Sequence, residues 1–254
     1  MGLKIKHFVI FITIISGGSC RHNSTHLSQI TSSQTRIDSS LRASGAFDEF
    51  IAPYRSRLNE VLDSTLAYAP QTITKEDGQF NTSAGNLIAD IIFSEANPIF
   101  KSRTGKDIDF VLLNHGGIRS IISKGNVSTR TAFEVMPFEN SIVVVALDGH
   151  VISEMVDFLR DSGQAHPVSG IQIILNSDNI LNSFMIQGKP LDLTRTYNVA
   201  TSNYLVTGGD NMTFFKKAKS IMDTDYFIRN AIIDYFKKVD TLSTVVDDRF
   251  IKLH

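Results

Sequence analysis

The sequence predicts an α+β fold, a mixed β-sheet flanked by helices. The continuous apolar run Phe110–Leu113 and the largely apolar segment Ser141–Leu147 are typical of strands that are buried on both faces. From Ala46 to Tyr68 the apolar residues recur at intervals of three and four, which is the spacing of an amphipathic helix. The two patterns together predict helices that pack on a sheet.

Local signals place the other elements. Thr82 or Ser83 can cap a helix, and Ser128 or Thr129 can cap a shorter one. Alternating apolar residues mark short strands in the second half of the chain. The predicted helices are Ala46–Tyr68, Ala84–Ala96, a short helix through Val135, one from Gly149 through Leu159, and a last one from Asp223 or Thr224 through Val239. The predicted strands are Ala69–Lys75, Phe110–Leu113, Ser141–Leu147, Gly170–Leu175, Asn182–Ile186, Tyr197–Thr201 and Val245–Ile251.

Composition limits the class of protein. The chain has 254 residues, of which 42% are hydrophobic and 20% charged, with a net charge of −1. This is enough apolar material for one substantial core. No clustered Lys/Arg face is visible, so nucleic acid is not expected as a partner. The single cysteine excludes an intrachain disulfide.

The N-terminus has the pattern of an export signal. Lys4 and Lys6 precede the apolar run 8–15, and small residues then lead to Cys20. This junction resembles a bacterial lipoprotein cleavage site, although Gly17 replaces the usual bulkier residue. We expect residues 1–20 to be a lipoprotein-type signal peptide and Cys20 to be lipidated, which predicts an exported, membrane-anchored protein in the periplasm or at the cell surface. The polar residues 21–44 are expected to form a flexible tether to the domain 45–254.

A candidate binding site follows the first buried run. Asn114 stands at the end of that strand, and Gly116 and Gly117 let the backbone turn and approach a ligand closely. Arg119 follows within reach of the same space. The Asn114 side-chain amide, the exposed backbone at the two glycines and the Arg119 guanidinium can bind a polar or anionic small molecule. A strand, a turn and a solvated arginine would give the same pattern, so the spacing alone leaves both interpretations open.

Three motifs in order carry a family resemblance: Asn114-His115-Gly116-Gly117-Ile118-Arg119, Glu134-Val135-Met136-Pro137-Phe138, and Asn203-Tyr204-Leu205-Val206-Thr207-Gly208-Gly209-Asp210. They resemble the NGGGIR, PF and NxLxxGGD signatures of the C-terminal domain of secreted 5'-nucleotidases. The likeness extends from about Pro70 to the C-terminus. In that family this domain holds the nucleoside part of the substrate, and a separate metallophosphatase domain supplies two metal ions and the catalytic residues.

The resemblance implies a role for each matching residue. Phe138 and Tyr204 would sandwich the base, Asp210 would hold the ribose, Asn114 and Arg119 would bind polar groups, and Gly116 and Gly117 would let the backbone come close. The sequence departs from the family in three places. His115 replaces a glycine, Tyr204 replaces a phenylalanine, and the usual arginine upstream of Gly85 is missing.

The implied function is that of the nucleotide-binding half of a split 5'-nucleotidase. No catalytic residue, metal ligand or cofactor is expected on this chain. Divalent metal ions are expected on a separate metallophosphatase chain. Two alternatives stay open: a cell-surface module that binds nucleosides without catalysis, or a phosphoesterase that uses Asp148, His150 and His115, because a strand followed by Asp-x-His also begins metallophosphatase sites.

Overall fold

The computed structural model describes residues 27–42 and 44–253. The chain divides into two compact units, residues 1–50 and 51–254. In the first unit, residues 27–42 are exposed and form no helix or strand. The predicted signal peptide and Cys20 lie outside the described residues, and the predicted domain boundaries stay predictions. None of the helices in residues 27–42 and 44–253 combines the length and the hydrophobicity that a membrane span requires.

Helices and strands alternate from Gly45 onward, and the first helix contains residues of both units. The helices are α1 (Gly45–Asp63), α2 (Ser83–Thr104), α3 (Thr129–Val135), α4 (Gly149–Ser162), α5 (Asn203–Val206) and α6 (Ile228–Lys238). The strands are β1 (Thr65–Ala69), β2 (Phe110–Leu112), β3 (Gly125–Ser128), β4 (Ser141–Asp148), β5 (Val168–Ser169), β6 (Ile171–Leu175), β7 (Leu181–Ile186), β8 (Lys189–Pro190), β9 (Thr196–Ser202), β10 (Ser220–Phe227) and β11 (Phe250–Lys252). Short 3-10 turns occupy His115–Gly117, Gly209–Asn211 and Thr213–Lys217.

A five-stranded mixed sheet forms the centre, with the strand order β10-β4-β9-β2-β5. Strands β2 and β9 are parallel, whereas β4 runs antiparallel to β9. A second sheet has the order β11-β6-β7-β8, and β1 pairs with β3. The predicted α+β class with a mixed sheet and flanking helices is therefore confirmed, although the described strands form three sheets.

Strands β2 and β4 of the central sheet are buried on both faces, as their sequence predicts. In β2, Val111 faces the core that contains α2 and α6, whereas Phe110 and Leu112 face the core that contains α4. Strand β4 alternates in the same way. Each fully buried side chain of this size contributes about 1.5–3 kcal/mol through removal of apolar surface from water. Both cores therefore hold the central strands in place.

The C-terminal helix begins later in the structure than the predicted start at Asp223 or Thr224. Residues Ser220–Phe227 form strand β10, which pairs with β4, and α6 starts only at Ile228. Most of β10 is exposed, so its scattered apolar residues mimic helical spacing. The hydroxyl of the buried Thr224 donates to the carbonyl of Ile142 at 2.7 Å, and Asp225 has a φ of +57°. Pairing with β4 thus overrides the local pattern.

Three other elements differ from prediction in their boundaries. The helix expected to reach Tyr68 ends at Asp63, and the strand expected over Ala69–Lys75 is instead Thr65–Ala69. This segment forms a strand earlier because it pairs with β3. Helix α2 continues to Thr104, beyond the predicted end at Ala96, despite Pro98.

The C-terminal segment is held by two buried amides rather than by a long strand. Only Phe250–Lys252 of the predicted strand Val245–Ile251 forms regular pairing. The Asn86 amide donates to Asn81 Oδ1 at 2.7 Å and to the Val245 carbonyl at 2.8 Å. The Asn81 amide donates to the carbonyls of Asp247 and Phe250. The two side chains therefore fasten the last residues to the start of α2.

Replacement of Asn86 by alanine should lower the free energy of unfolding by about 1–3 kcal/mol, because the buried Asn86 amide loses its hydrogen bonds to Asn81 Oδ1 and to the Val245 carbonyl. Urea unfolding measures the change. The exposed Asn182→Ala variant is the control and should stay within about 0.5 kcal/mol of the wild type. Equal stability of the two variants would contradict this account of the C-terminal segment.

Candidate functional site

The sheet topology brings three loops to one edge. Because β2 and β9 are parallel, Asn114 and Tyr204, which follow them, emerge on the same side. Strand β4 is antiparallel, so Asn140, just before its first residue, lies at that edge too. Ligands of α/β sheets commonly bind beyond the carboxyl ends of parallel strands. This edge is therefore where a site is expected.

A cleft of about 310 Å³ opens there. All seven residues predicted for the site line it, together with one that the prediction missed: Asn114, Gly116, Gly117, Arg119, Phe138, Tyr204, Asp210 and the additional Asn140. The volume is at the lower end of the range of about 300–1,000 Å³ for small-molecule sites. The geometry brings the predicted residues together, and their roles in binding stay predictions.

The position of Asn140 at the site could have been predicted from the sequence. It immediately precedes the buried run of β4 and follows Phe138 by two residues. A polar residue that borders a buried strand lies at the sheet edge, as Asn114 does.

The carboxylate of Asp210 is held by two side chains. Asn114 Nδ2 donates to Asp210 Oδ2 at 2.7 Å, and the Tyr204 hydroxyl donates to Oδ1 at 2.9 Å. Asp210 has a φ of +50°, in the left-handed region that few L-residues adopt. The backbone and both oxygens of this exposed carboxylate are therefore fixed in one arrangement before a ligand arrives.

Gly209 is required by the ring of Tyr204. A Cβ at position 209 would lie 2.5 Å from Cε1 and Cζ of that ring, which is closer than real contacts allow. The preceding Gly208 has a φ of +91°. The glycine pair thus permits both the turn and the close approach of the aromatic ring.

The ring of Phe138 is half exposed at the other side of the cleft. The Arg119 guanidinium lies 5.9 Å from its centroid and donates to the Gly116 carbonyl at 3.3 Å. Arg229 is buried, donates to the carbonyls of Pro137 and Phe138, and packs over the Phe133 ring at 4.1 Å. Arg229 therefore fixes the backbone that carries Phe138, and no sequence pattern indicated this role.

His166 supports the turn beneath the site. The backbone amide of His115 donates to His166 Nδ1 at 3.2 Å, so the ring proton is on Nε2, which is buried without a partner among the described residues. Burial, with a smaller effect of the nearby His115, lowers the pKa of His166 from 6.5 to about 4, and Asp210 opposes the shift. The His115 side chain itself lies against the Ala165 carbonyl.

The loop where the family has an upstream arginine does not line the cleft. Gln79 is exposed, and the ring of Phe80 stacks on Phe250 with 4.8 Å between centroids. Gly78 packs so tightly that a Cβ would lie 2.0 Å from the Asn81 carbonyl oxygen. In the described chain this loop therefore serves the packing of the C-terminal segment.

The three residues of the alternative phosphoesterase site, Asp148, His150 and His115, do not lie together. Asp148 ends β4, whereas the cleft lies before its first residue, roughly 25 Å away along an eight-residue strand. The Lys219 ammonium lies 2.5 Å from the Asp148 carboxylate and is the main cause of its lowered pKa. His150 is exposed at that same far end, and His115 is near the cleft. Among residues 27–42 and 44–253, no group of three or more His, Cys, Asp or Glu side chains could hold a metal.

A larger cleft, of about 550 Å³, lies between α2 and the opposite end of the sheet. Three of the four charged side chains that line it are already paired: Arg195 with Asp109 at 2.5 Å, and Asp107 with Lys101 at 3.0 Å. The main chain of Asn198 also donates to Asp109. With these groups satisfied by the protein, the smaller cleft is the stronger candidate site.

Residues 64–217, more than half of the chain, match the family model described as 5'-nucleotidase, C-terminal domain. The chain belongs to the 5'-nucleotidase C-terminal domain family. It is 31% identical over 150 residues to Protein UshA of Escherichia coli, covering 57% of this chain and 26% of that protein. It is 27% identical over 201 residues to Cell wall protein Lmo0130 of Listeria monocytogenes, covering 68% and 25%.

A solved 5'-nucleotidase precursor from Thermus thermophilus has the same fold as this 5'-nucleotidase C-terminal domain. The TM-score is 0.68 at 25% identity, over 81% of this chain and 43% of that one. The chain thus spans about a quarter of the curated relatives named above and under half of the solved structure. The predicted family and fold are confirmed.

Acid should destabilise this domain through His166. His166 has a pKa of about 6.5 in the unfolded chain and about 4 in the folded chain. The unfolded chain therefore binds more protons between these values, and the free energy of unfolding falls as the pH drops from 6.5 to 4. The loss at pH 4 relative to pH 7 is about 3 kcal/mol. Urea unfolding from pH 7 to pH 4 measures it.

The His166→Gln variant should lose this contribution to the pH dependence, because it removes the titrating ring. The exposed His150→Gln variant is the control and should keep the wild-type slope. A wild-type slope in the His166→Gln variant would show that another group causes the acid sensitivity.

Proposed function

We propose that this chain is the nucleotide-binding half of a split 5'-nucleotidase. The observation that carries the proposal is the convergence of Phe138, Tyr204, Asp210, Asn114 and Arg119 on one cleft, although they are distant in the sequence. Membership in the 5'-nucleotidase C-terminal domain family supports the same conclusion. The ligand is a nucleoside or a nucleotide, and nucleic acid is not a partner.

In the proposed complex, the rings of Phe138 and Tyr204 hold the base. Both rings are half exposed and line the cleft, so part of each ring is open to a flat ligand. Stacking of a base on an aromatic side chain contributes about 1–3 kcal/mol and tolerates every base. Asp210 accepts hydrogen bonds from the ribose, and Arg119, Asn114 and Asn140 bind polar groups at the edge of the ligand.

Hydrolysis of the phosphate needs groups that the described residues do not assemble. We therefore propose a separate metallophosphatase chain as the partner, with divalent metal ions bound there and no cofactor bound here. Such ions stabilise the charge that develops on a phosphomonoester and activate the attacking water. The role of this chain is to bind the nucleoside and orient the phosphate toward that partner.

We also propose that the protein is exported and anchored through Cys20. The basic, apolar and small-residue order of residues 1–20 supports this, as does similarity to a protein named as a cell wall protein. These residues lie outside the described part of the chain. Globomycin treatment and mass spectrometry of the mature N-terminus distinguish lipidation from simple secretion.

Removal of the Phe138 ring should weaken nucleoside binding by about tenfold or more, because one stacking face is lost. Calorimetry with adenosine and AMP measures the wild type and Phe138→Ala. Tyr68→Ala is the matched control, since Tyr68 has nearly the same exposure, 42% against 41%, and does not line the cleft. Equal loss in both variants, or no binding by the wild type, would refute the proposed site.

Addition of a metallophosphatase chain from the same organism should produce release of phosphate from AMP in the presence of Mn²⁺. The Phe138→Ala variant should lower this activity mainly through a higher KM, because it removes ligand binding and no reacting group. Tight nucleoside binding without any phosphate release would instead identify a binding module. Phosphate release by this chain alone, lost on His150→Ala, would favour the phosphoesterase alternative.

A further inference from the structure

We propose that the hydroxyl of Tyr204 is a positioning group that makes the cleft select ribonucleosides over 2'-deoxynucleosides. This inference rests on the proposed function, because it concerns how Asp210 is presented to the sugar. It goes beyond the stacking role of the Tyr204 ring, since a phenylalanine could supply the ring alone. The hydroxyl acts through Asp210 rather than on the ligand.

The hydroxyl makes two contacts with the same residue. It donates to Asp210 Oδ1 at 2.9 Å and accepts from the Asp210 backbone amide at 3.3 Å. It therefore connects the carboxylate to the main chain of the residue that carries it. An exposed aspartate would otherwise rotate freely about its side-chain bonds, and this bridge restricts that rotation.

The second carboxylate oxygen is fixed independently. Asn114 Nδ2 donates to Asp210 Oδ2 at 2.7 Å, so each oxygen accepts one hydrogen bond from the protein side chains. An ionised carboxylate has about four acceptor sites. Each oxygen thus keeps acceptor capacity for a ligand, and the plane of the carboxylate is set by its two donors.

Two fixed acceptors that share one carbon suit a pair of adjacent hydroxyl groups. The cis-diol of ribose offers one hydroxyl to each oxygen, whereas 2'-deoxyribose keeps only the 3'-hydroxyl of that pair. Hydrogen bonds to a charged acceptor are roughly twice as strong as neutral ones. Loss of the Tyr204 hydroxyl releases Oδ1, so the second bond, which only ribose can make, becomes weaker.

The backbone shows that the arrangement is built into the turn. Asp210 has a φ of +50°, and Gly209 lies so close to the Tyr204 ring that a Cβ would be 2.5 Å from its atoms. The ring is therefore held beside the turn by packing, and its hydroxyl reaches the carboxylate six residues later in sequence. Substitution by phenylalanine keeps this packing and removes only the hydroxyl.

The test compares adenosine with 2'-deoxyadenosine by calorimetry on the full mature chain. In Tyr204→Phe, adenosine binding should weaken by about fivefold and 2'-deoxyadenosine binding by less than about twofold, so the preference for ribose should fall. Asp210→Asn should reduce the preference further, because it removes the charge and one acceptor. Binding of both ligands through the base should persist in both variants.

Tyr226→Phe is the matched control, since it removes another tyrosine hydroxyl that donates to a carboxylate, that of Asp234 at 2.8 Å, outside the cleft. It should leave the preference unchanged. Equal weakening of the two nucleosides in Tyr204→Phe would overturn the inference while leaving the binding function intact. A wild type that binds neither nucleoside would overturn the proposed function and the inference together.

Discussion

The parallel pairing of β2 with β9 is the constraint on which the site depends. It places Asn114 and the Tyr204 to Asp210 segment at one edge of the sheet, although about ninety residues separate them. The antiparallel β4 then adds Phe138 and Asn140 from its start. Burial of these strands on both faces fixes their positions, so the loops at their ends are also held in defined positions.

Asp210 connects the first and third sequence motifs physically. Its oxygens accept from the first motif through Asn114 and from the third through Tyr204. The second motif faces the same cleft through Phe138, whose backbone is held by the buried Arg229. A set of short, separated motifs therefore corresponds to one hydrogen-bonded and packed unit, which explains why they occur together in the chain.

The sequence was most informative where a pattern had one structural solution. The runs that became β2 and β4 had to be buried on both faces, and the seven candidate residues followed from strand ends and from the family motifs. The prediction for β10 was wrong because an exposed edge strand lacks the alternation of apolar and polar residues. Its strand conformation depends on pairing with β4. Arg229 and His166 act through backbone atoms of distant loops, and such contacts leave no local pattern.

The departures from the family motifs are accommodated differently. His115 is placed against Ala165 and His166 rather than in the cleft, and the loop without the upstream arginine packs on the C-terminal segment. Tyr204 is the departure that changes the cleft itself, since it adds a hydroxyl to the carboxylate network. The chain therefore keeps the aromatic pair while altering the polar groups around it.

The most direct test of the central claim is a crystal structure of the protein with adenosine. We expect the purine ring between the side chains of Phe138 and Tyr204, with the ribose hydroxyls on Asp210 and the 5' position toward solvent. A nucleoside bound elsewhere, or a cleft that stays empty at saturating adenosine, would contradict that claim.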